Sequence, residues 1–200
     1  RPIIVGAMLG EVAKDKVVLT SGAQPGDSII LTKGIAIEGT AVLAREAQGA
    51  LLKAGVKREV ISRAKDFLFS PGISVVTEAQ TACQVTRVHS MHDPTEGGLA
   101  TGLLEIAEGA QAGILIDEES ILLLPECEAI CRALGLNPLG LLASGSLLLT
   151  LSPEEVPKLL SAFGDQGIPA FEIGNITPQE EGLMIKPKEL AKINISGVTR

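Results

Sequence analysis

The sequence predicts an α+β fold in which a mixed sheet is packed with helices. Segments with apolar residues at helical spacing alternate irregularly with short strand-like runs, and two pairs of these runs follow one another without a helix between them. Such an element order is typical of α+β domains. Apolar residues make up 46% of the 200-residue chain, which is enough for a packed core and excludes a disordered protein.

The first half of the chain contains predicted strands before and after a helical region. Four strands are predicted, at residues 3–5, 16–20, 28–32 and 86–92. Pro25, Gly26 and Asp27 form the tight turn that leads into the third of them. Apolar residues at steps of three and four predict helices at residues 38–54, 58–68 and 74–84. Gly55 ends the first helix, and Pro71 with Gly72 separates the second from the third.

The second half continues with shorter elements of both kinds. Helices are predicted at residues 95–110 and 125–134, and a third begins at Ser152 and Pro153 and ends near residues 163–164. Strands are predicted at residues 113–117, 146–151, 169–173 and 183–185. The helix at 95–110 carries an apolar stripe that we expect to be buried, formed by Leu99, Leu103, Ile106 and Ala107.

Composition excludes several classes of function. The chain has 24 acidic and 17 basic residues and a net charge of −7, which disfavours binding to a phosphate backbone. Aromatic residues make up 2%, too few for a base-stacking surface. No apolar run approaches the roughly 20 residues of a membrane span. Three cysteines do not form a disulfide scaffold, so we expect a reducing, cytoplasmic location, with no nucleic-acid or membrane partner.

The most informative stretch runs from His92 to Leu99 and joins a predicted strand to a predicted helix. Asp93 or Thr95 is placed to cap the helix with a side-chain oxygen. Gly97 and Gly98 would leave the first helical amides open to a phosphate or carboxylate. Asp93 is also suited to Mg²⁺. The alternative is a purely structural helix cap with a half-buried histidine.

Two further loops are candidate parts of a site. In the first, Lys33 is placed to reach a phosphate, and Glu38 to act as an acid, a base or a metal partner; the alternative is a connecting loop with a solvent-facing lysine. In the second, Ser144 and Gly145 precede an apolar strand and offer backbone amides to a pocket; the alternative is a plain tight turn.

The stretch from His92 to Leu99, with the run from Leu104 to Ala107, resembles the C-terminal domain of the AIR synthase-related (PurM-like) superfamily. The loop after Lys33, and the Gly174-Asn175 pair, extend the likeness over nearly the whole chain. The superfamily includes aminoimidazole ribonucleotide synthetase, selenophosphate synthetase, thiamine-monophosphate kinase and the hydrogenase maturation protein HypE. The His-Asp-Pro-Thr version of the turn is most similar to the HypE group.

The resemblance implies a fold related to ferredoxin-like domains and a part in an ATP- and Mg²⁺-dependent enzyme. Both ligands would be held mostly by an N-terminal nucleotide-binding domain, so the fragment alone is expected to be inactive. We predict catalytic roles for three residues, His92, Asp93 and Glu38. We predict phosphate, nucleotide or substrate contacts from six residues, Lys33, Thr95, Gly97, Gly98, Ser144 and Gly145.

The same resemblance predicts a division of the chain. Residues 1–10 are expected to be the last strand of the N-terminal domain, and residues 11–200 the C-terminal domain. The expected partners are a small-molecule substrate or a carbamoylated peptide group, and a second copy in the full-length protein. HypE proteins carry a Glu-Gly pair where this chain has Ser144 and Gly145, and a cysteine-containing tail where it has residues 197–200. The alternatives are a non-catalytic ligand-binding or dimerisation module, or an activity like that of thiamine-monophosphate kinase or selenophosphate synthetase.

Overall fold

The computed structural model describes residues 3, 5–7 and 9–186 of the chain. The expected strand at residues 3–5 therefore lies partly outside the described residues, and the C-terminal residues 197–200 lie wholly outside them. Ile3, Val5 and the other described residues before residue 14 have no regular secondary structure.

Within the described residues, six strands and seven helices make up the fold. The strands are β1 (Ser28–Thr32), β2 (Ser90–His92), β3 (Gly113–Asp117), β4 (Leu148–Leu151), β5 (Ala170–Thr177) and β6 (Leu183–Lys186). The helices are α1 (Ile37–Glu46), α2 (Gln48–Lys53), α3 (Arg58–Lys65), α4 (Val76–Val85), α5 (Gly98–Ala110), α6 (Pro125–Leu134) and α7 (Val156–Asp165). None of these helices has both the length and the apolar character of a membrane span.

The strands form one sheet in the order β2-β4-β1-β5-β3-β6. Every pair is antiparallel except β3 with β6, which is parallel. The predicted α+β class with a mixed, helix-packed sheet is therefore confirmed. A bulge between Ile29 and Ile30 shifts the register of β1 against β5.

Both faces of the sheet carry a hydrophobic core, because side chains alternate between the faces of a strand. On one face, Ile29 and Leu31 of β1 pack with α5 and α6, including Cys127 and Cys131. On the other face, Ile30 packs with α4 and α7. The central strand is buried throughout, which is why its sequence is apolar without alternation.

The two α6 cysteines are buried in the core, where Cys131 stays in the thiol form and its hydrogen bond lowers the pKa of Cys127. Their sulfurs lie 3.8 Å apart one helical turn from each other. The hydrogen bond to Cys127 and the surrounding burial raise the pKa of Cys131. The pair therefore acts as small apolar residues of the core.

The predicted strand at residues 16–20 is wrong. Two short 3-10 turns, Lys14–Lys16 and Thr20–Gly22, flank extended residues that join no sheet. The apolar side chains that suggested a strand, Val17 and Leu19, are exposed. The segment instead attaches to β2 through side chains, since the Thr20 hydroxyl donates to the Met91 carbonyl and the Ser90 hydroxyl donates to the Thr20 carbonyl.

Other boundaries shift for local reasons. The helix predicted at 38–54 divides at Ala47 into α1 and α2, and this break lets Leu51 join the small core between α1, α3 and α6. Ser152 does not cap the last helix, because a 3-10 turn over Pro153–Glu155 comes first. The predicted stripe of α5 is buried as expected.

The stripe on α5 gives a direct test of this packing. Leu103 is 2% exposed, whereas its neighbour Leu104 is 45% exposed. Leu103→Ala should lower the free energy of unfolding by about 2–5 kcal/mol, since it leaves a cavity in the core. Leu104→Ala, the matched control, should change it by less than about 0.5 kcal/mol. Urea melts of the two variants check this, and equal losses would contradict the orientation of α5.

Candidate functional site

Three loops meet at one end of the sheet. Strands β1 and β2 both run antiparallel to β4, so both end where β4 begins. The loop from β1 to α1 and the loop from β2 to α5 therefore emerge beside residues 139–146, which lead into β4. These three loops are the ones that the sequence marked as candidates.

Residues 139–146 are called the 139–146 segment. The segment holds the other two loops through two backbone hydrogen bonds and one side-chain hydrogen bond. The Ala143 amide donates to the Thr95 carbonyl at 3.2 Å. The Gly39 amide donates to the Leu142 carbonyl at 3.0 Å. The Ser146 hydroxyl donates to the Gly34 carbonyl. The three candidate loops are thus one connected unit.

Gly98 is required by close packing. Its φ is +65°, in the left-handed region, and a Cβ there would lie 2.5 Å from the Leu139 carbonyl oxygen and in contact with that of Leu141. Gly97, the residue before α5, is also left-handed, at φ +77°. The two consecutive glycines therefore let the chain enter α5 while it lies against the 139–146 segment.

The helix begins at Gly98, three residues later than predicted, and no side chain caps it. The expectation that Asp93 or Thr95 caps it with a side-chain oxygen is wrong, because these residues are exposed and the Gly98 amide instead donates to the Thr95 carbonyl at 3.1 Å. Leu99 and Ala100 lie in the first turn, where amides have no acceptor within the helix. Leu99 is fully buried, whereas Ala100 is exposed, so Ala100 is the residue of this pair that lies at the surface.

Two carboxylates at this end are unpaired within the described part of the chain. Asp93 is exposed in the loop before α5. Glu38 is half-buried in the first turn of α1, next to Gly39, which the 139–146 segment holds. Neither forms an ion pair with a described residue. Both carboxylates therefore have no counter-charge among the described residues.

Lys33 is buried and points into the protein. It is 6% exposed, its φ is +59°, and its ammonium lies 2.7 Å from the carboxylate of Glu78 on α4. The same ammonium donates to the carbonyls of Ser74 at 2.6 Å and Gly72 at 3.2 Å. The alternative of a solvent-facing lysine is therefore wrong. The three donors are engaged within the protein, so the ammonium does not extend toward Gly97 and Gly98.

Gly145 lies against the loop that Lys33 holds. Its φ is +107°, and a Cβ there would lie 2.8 Å from the Gly72 carbonyl oxygen. Ser144, beside it, is half-buried and its side chain pairs with no described residue. Lys33, Ser144 and Gly145 are therefore neighbours, with Gly72 between the lysine and the turn. The sequence analysis did not identify Glu78, because nothing local marks a helical glutamate as the partner of a lysine 45 positions away.

The two histidines have different carboxylate partners. The Nε2 atom of His92 lies 2.7 Å from the carboxylate of Glu105 on α5. The Nδ1 atom of His89 lies 2.8 Å from the carboxylate of Asp27, which precedes β1. Among the described residues, no group of three or more metal-ligating side chains is assembled. His92 is thus held beside the candidate site by Glu105.

The sequence matches the family described as AIR synthase related protein, C-terminal domain, over residues 24–186. The chain belongs to this family. The match includes all three loops and every residue predicted for the site, so the resemblance drawn from the turn at His92 is confirmed.

Among curated relatives, a hydrogenase expression/formation protein from Methanocaldococcus jannaschii is 30% identical over 92% of this chain and 52% of its own length. Carbamoyl dehydratase HypE from Rhizobium leguminosarum is 32% identical over 80% of this chain and 43% of its own length. Selenide, water dikinase from Geobacter metallireducens is 26% identical over 90% of this chain and 57% of its own length. The chain spans about half the length of the relatives it matches.

Solved structures of the same fold come from two kinds of protein. HypE of E. coli superposes with a TM-score of 0.68 at 20% identity, over 92% of this chain and 51% of that chain. A HypE in complex with ATP superposes with a TM-score of 0.60 at 24% identity, over 88% of this chain and 52% of that chain. Thiamine-monophosphate kinase from Stenotrophomonas maltophilia superposes with a TM-score of 0.69 at 18% identity, over 88% of this chain and 54% of that chain. These likenesses show a PurM-like fold.

Gly98 offers a test of the close contact between α5 and the 139–146 segment. Gly98→Ala should lower the free energy of unfolding by more than about 2 kcal/mol, because the new Cβ adds left-handed strain to a contact with two carbonyl oxygens. Gly49→Ala is the control, since Gly49 lies in α2 and a Cβ there would have no neighbour within 4 Å. It should stabilise by about 0.4–1 kcal/mol. Chemical denaturation compares them; a neutral Gly98→Ala would refute the contact.

The Lys33–Glu78 pair gives a second test. Glu78→Gln leaves the buried ammonium without its counter-charge and should cost about 3–5 kcal/mol of unfolding free energy. Glu128→Gln is the matched control, because Glu128 pairs with Arg132 on the exposed side of α6. Its loss should be about 0.3–0.5 kcal/mol. Thermal and urea melts measure both, and similar small losses would show that Lys33 is solvated.

Proposed function

We propose that this chain is the C-terminal half of an ATP-dependent enzyme of the HypE type, acting in hydrogenase maturation. Its family and its sequence similarity to HypE proteins support this assignment. In the full protein, a preceding N-terminal domain would bind most of the nucleotide, and a carbamoylated group or another small substrate would be the acceptor. The full protein is proposed to work as a homodimer in the cytoplasm.

The observation that carries the proposal is the convergence of three loops that leave polar groups unused. The 139–146 segment brings the start of α1 and the start of α5 together, and the carboxylates of Glu38 and Asp93 stay unpaired among the described residues. A purely structural junction has no need of two free carboxylates beside an uncapped helix end. A site that binds a cation together with a phosphate needs free carboxylates for the cation and free amides for the phosphate.

The donor set fits a magnesium–phosphate group better than a bare phosphate. Carboxylate oxygens are hard ligands of the kind Mg²⁺ takes, one or two at a time, together with phosphate oxygens. The ammonium of Lys33 is already engaged by Glu78 and two carbonyls, so it does not offset the negative charge of Asp93 and Glu38. Asp93 and Glu38 would hold the metal, and the amide of the exposed Ala100 would face the phosphate.

ATP, when bound, would supply a phosphoryl group that makes a substrate oxygen a good leaving group. The residues of this chain would bind and orient. Glu105 fixes the ring of His92 through Nε2 and leaves Nδ1 without a partner among the described residues, so Nδ1 is the atom at which His92 would hold or move a proton. Phosphoryl transfer depends on positioning, and half of that positioning is proposed to lie in the preceding domain.

The alternatives differ in the acceptor. Selenide, water dikinase is a relative of the chain, and thiamine-monophosphate kinase shares its fold. Phosphorylation of thiamine monophosphate or of selenide by the full protein, without turnover of a carbamoylated peptide, would favour these activities. A full protein that binds ligand but turns over neither nucleotide nor substrate would favour the non-catalytic module.

The metal role of Asp93 is tested by titration of the chain with ATP, with and without Mg²⁺. Because Asp93 is exposed and caps nothing, Asp93→Asn should leave the unfolding free energy within about 0.5 kcal/mol of wild type. It should remove the Mg²⁺-dependent part of ATP binding. Amide shifts of residues 93–99 report the site.

Glu108→Gln is the control, since Glu108 is exposed near the C-terminal end of α5, away from the helix start that carries the site. It should leave both the metal-dependent and the metal-independent shifts unchanged. The isolated chain should show no sustained ATP hydrolysis. If the amides of residues 93–99 in the wild type do not shift at millimolar Mg²⁺ and ATP, the proposed binding site is contradicted and the turn is purely structural.

A further inference from the structure

A cavity lies at the opposite end of the sheet from the three loops. It has a volume of about 360 Å³ and is walled by the segment before β1 and by the connection from α4 to β2. Asp27 and His89 stand directly before β1 and β2, so they mark the end where these strands begin. A cavity of this size lies in the range that accommodates small ligands.

His89, in the wall of this cavity, is held in one orientation. Both carboxylate oxygens of Asp27 lie close to its Nδ1, at 2.8 and 3.0 Å. Asp27 is 4% exposed and also accepts from the Gln24 amide at 2.9 Å. The His89 backbone amide donates to the Thr150 carbonyl at 2.8 Å. A buried carboxylate that fixes one ring nitrogen determines where the other nitrogen points.

The other nitrogen of His89, Nε2, is available to a ligand. The side chain is 14% exposed and lines the cavity. Nε2 pairs with no described residue, and it is not among the fully buried polar atoms that lack a partner. His89 lines the cavity and its Nε2 is not fully buried, so a ligand in the cavity would meet an oriented imidazole with a buried carboxylate behind it.

The cavity walls carry positive charge on an otherwise acidic chain. Lys16 and Arg87 both line the cavity, and neither forms an ion pair with a described residue. Asp15 is the acidic residue in the wall, and the charge of Asp27 faces His89. Two basic side chains, Lys16 and Arg87, therefore face one acidic wall residue, Asp15, in a chain whose net charge is −7.

We propose that this cavity binds a small molecule through a phosphate or carboxylate group, with Lys16 and Arg87 as the anion contacts and His89 Nε2 as the oriented polar group beside them. Charge-assisted hydrogen bonds from a guanidinium and an ammonium are strong contacts that such oxyanions form. Asp27 is the positioning residue that orients His89. The site is separate from the three loops, and it does not depend on the HypE-type function proposed for them.

The chain suits a direct test, because His89 and His92 are its only two histidines. Their ring signals in NMR spectra of the 200-residue chain report the two ends of the sheet separately. Inorganic phosphate and acetate are titrated in separate arms at constant pH and ionic strength. We expect phosphate to shift the His89 ring with a saturating curve, independent of any change at His92. Saturation by acetate at the same concentrations assigns a carboxylate ligand, and weaker binding of acetate assigns a phosphate ligand.

Variants decide whether the curve belongs to this cavity. Arg87→Gln and Lys16→Gln should each weaken the phosphate curve of His89 about tenfold, as expected for loss of a charge-assisted contact. Arg58→Gln, at an exposed arginine on α3 outside the cavity, is the control and should leave it unchanged. A His89 ring that phosphate and acetate at millimolar concentration both leave unmoved would overturn the proposal. So would equal weakening by all three variants, because that would indicate nonspecific charge.

Discussion

The arrangement of the candidate site depends on backbone hydrogen bonds made by the 139–146 segment. A buried amide or carbonyl without a partner is costly, so a connection that runs between two loops must bond to them or stay at the surface. Here Ala143 and Leu142 bond to Thr95 and Gly39, on the loops before α5 and in the first turn of α1. The glycines follow from the same constraint, because carbonyls of the segment occupy the space that a side chain at Gly98 would need.

The charge of the candidate site depends on where the ammonium of Lys33 is bound. The same end of the molecule contains a buried lysine, but Glu78 and two carbonyl groups occupy its ammonium. That ammonium fixes the loop around Gly72, against which Gly145 packs. The lysine therefore stabilises the walls of the site and leaves its mouth acidic, with Asp93 and Glu38 unpaired among the described residues. An acidic mouth beside an uncapped helix is suited to a cation that brings an anion with it.

Much of the fold was predictable because its signals are local. The spacing of apolar residues predicts the buried stripe of α5 and the bounds of α6, and the turn at Gly26 predicts the start of β1. The strand predicted at 16–20 was wrong because β-rich composition does not by itself provide a partner strand, and this segment pairs with no strand of the sheet. The late start of α5 at Gly98 was missed because its cause, the carbonyls of Leu139 and Leu141, lies about 40 residues away along the chain.

The candidate site also combines residues with a local sequence signal and partners that only the tertiary fold determines. The turn from His92 to Gly98 stands out in the sequence because it combines a proline, two glycines and an acid. The partners of Lys33, His92 and His89 are set by the tertiary fold, and a single sequence does not indicate that Glu78, Glu105 and Asp27 are those partners. The cavity at His89 was not predicted for this reason, although Asp27 and His89 each lie in a segment with a clear local signal.

The central claim is that the three loops form one unit held by the 139–146 segment, and native-state hydrogen exchange of single amides tests it most directly. The Gly39 and Ala143 amides, which bond across the loops, and the Leu147 amide, which donates to Thr32 Oγ1 at 3.0 Å, should open together with a free energy close to that of global unfolding. Independent opening of these amides at much lower free energies, as in ordinary surface loops, would contradict the account.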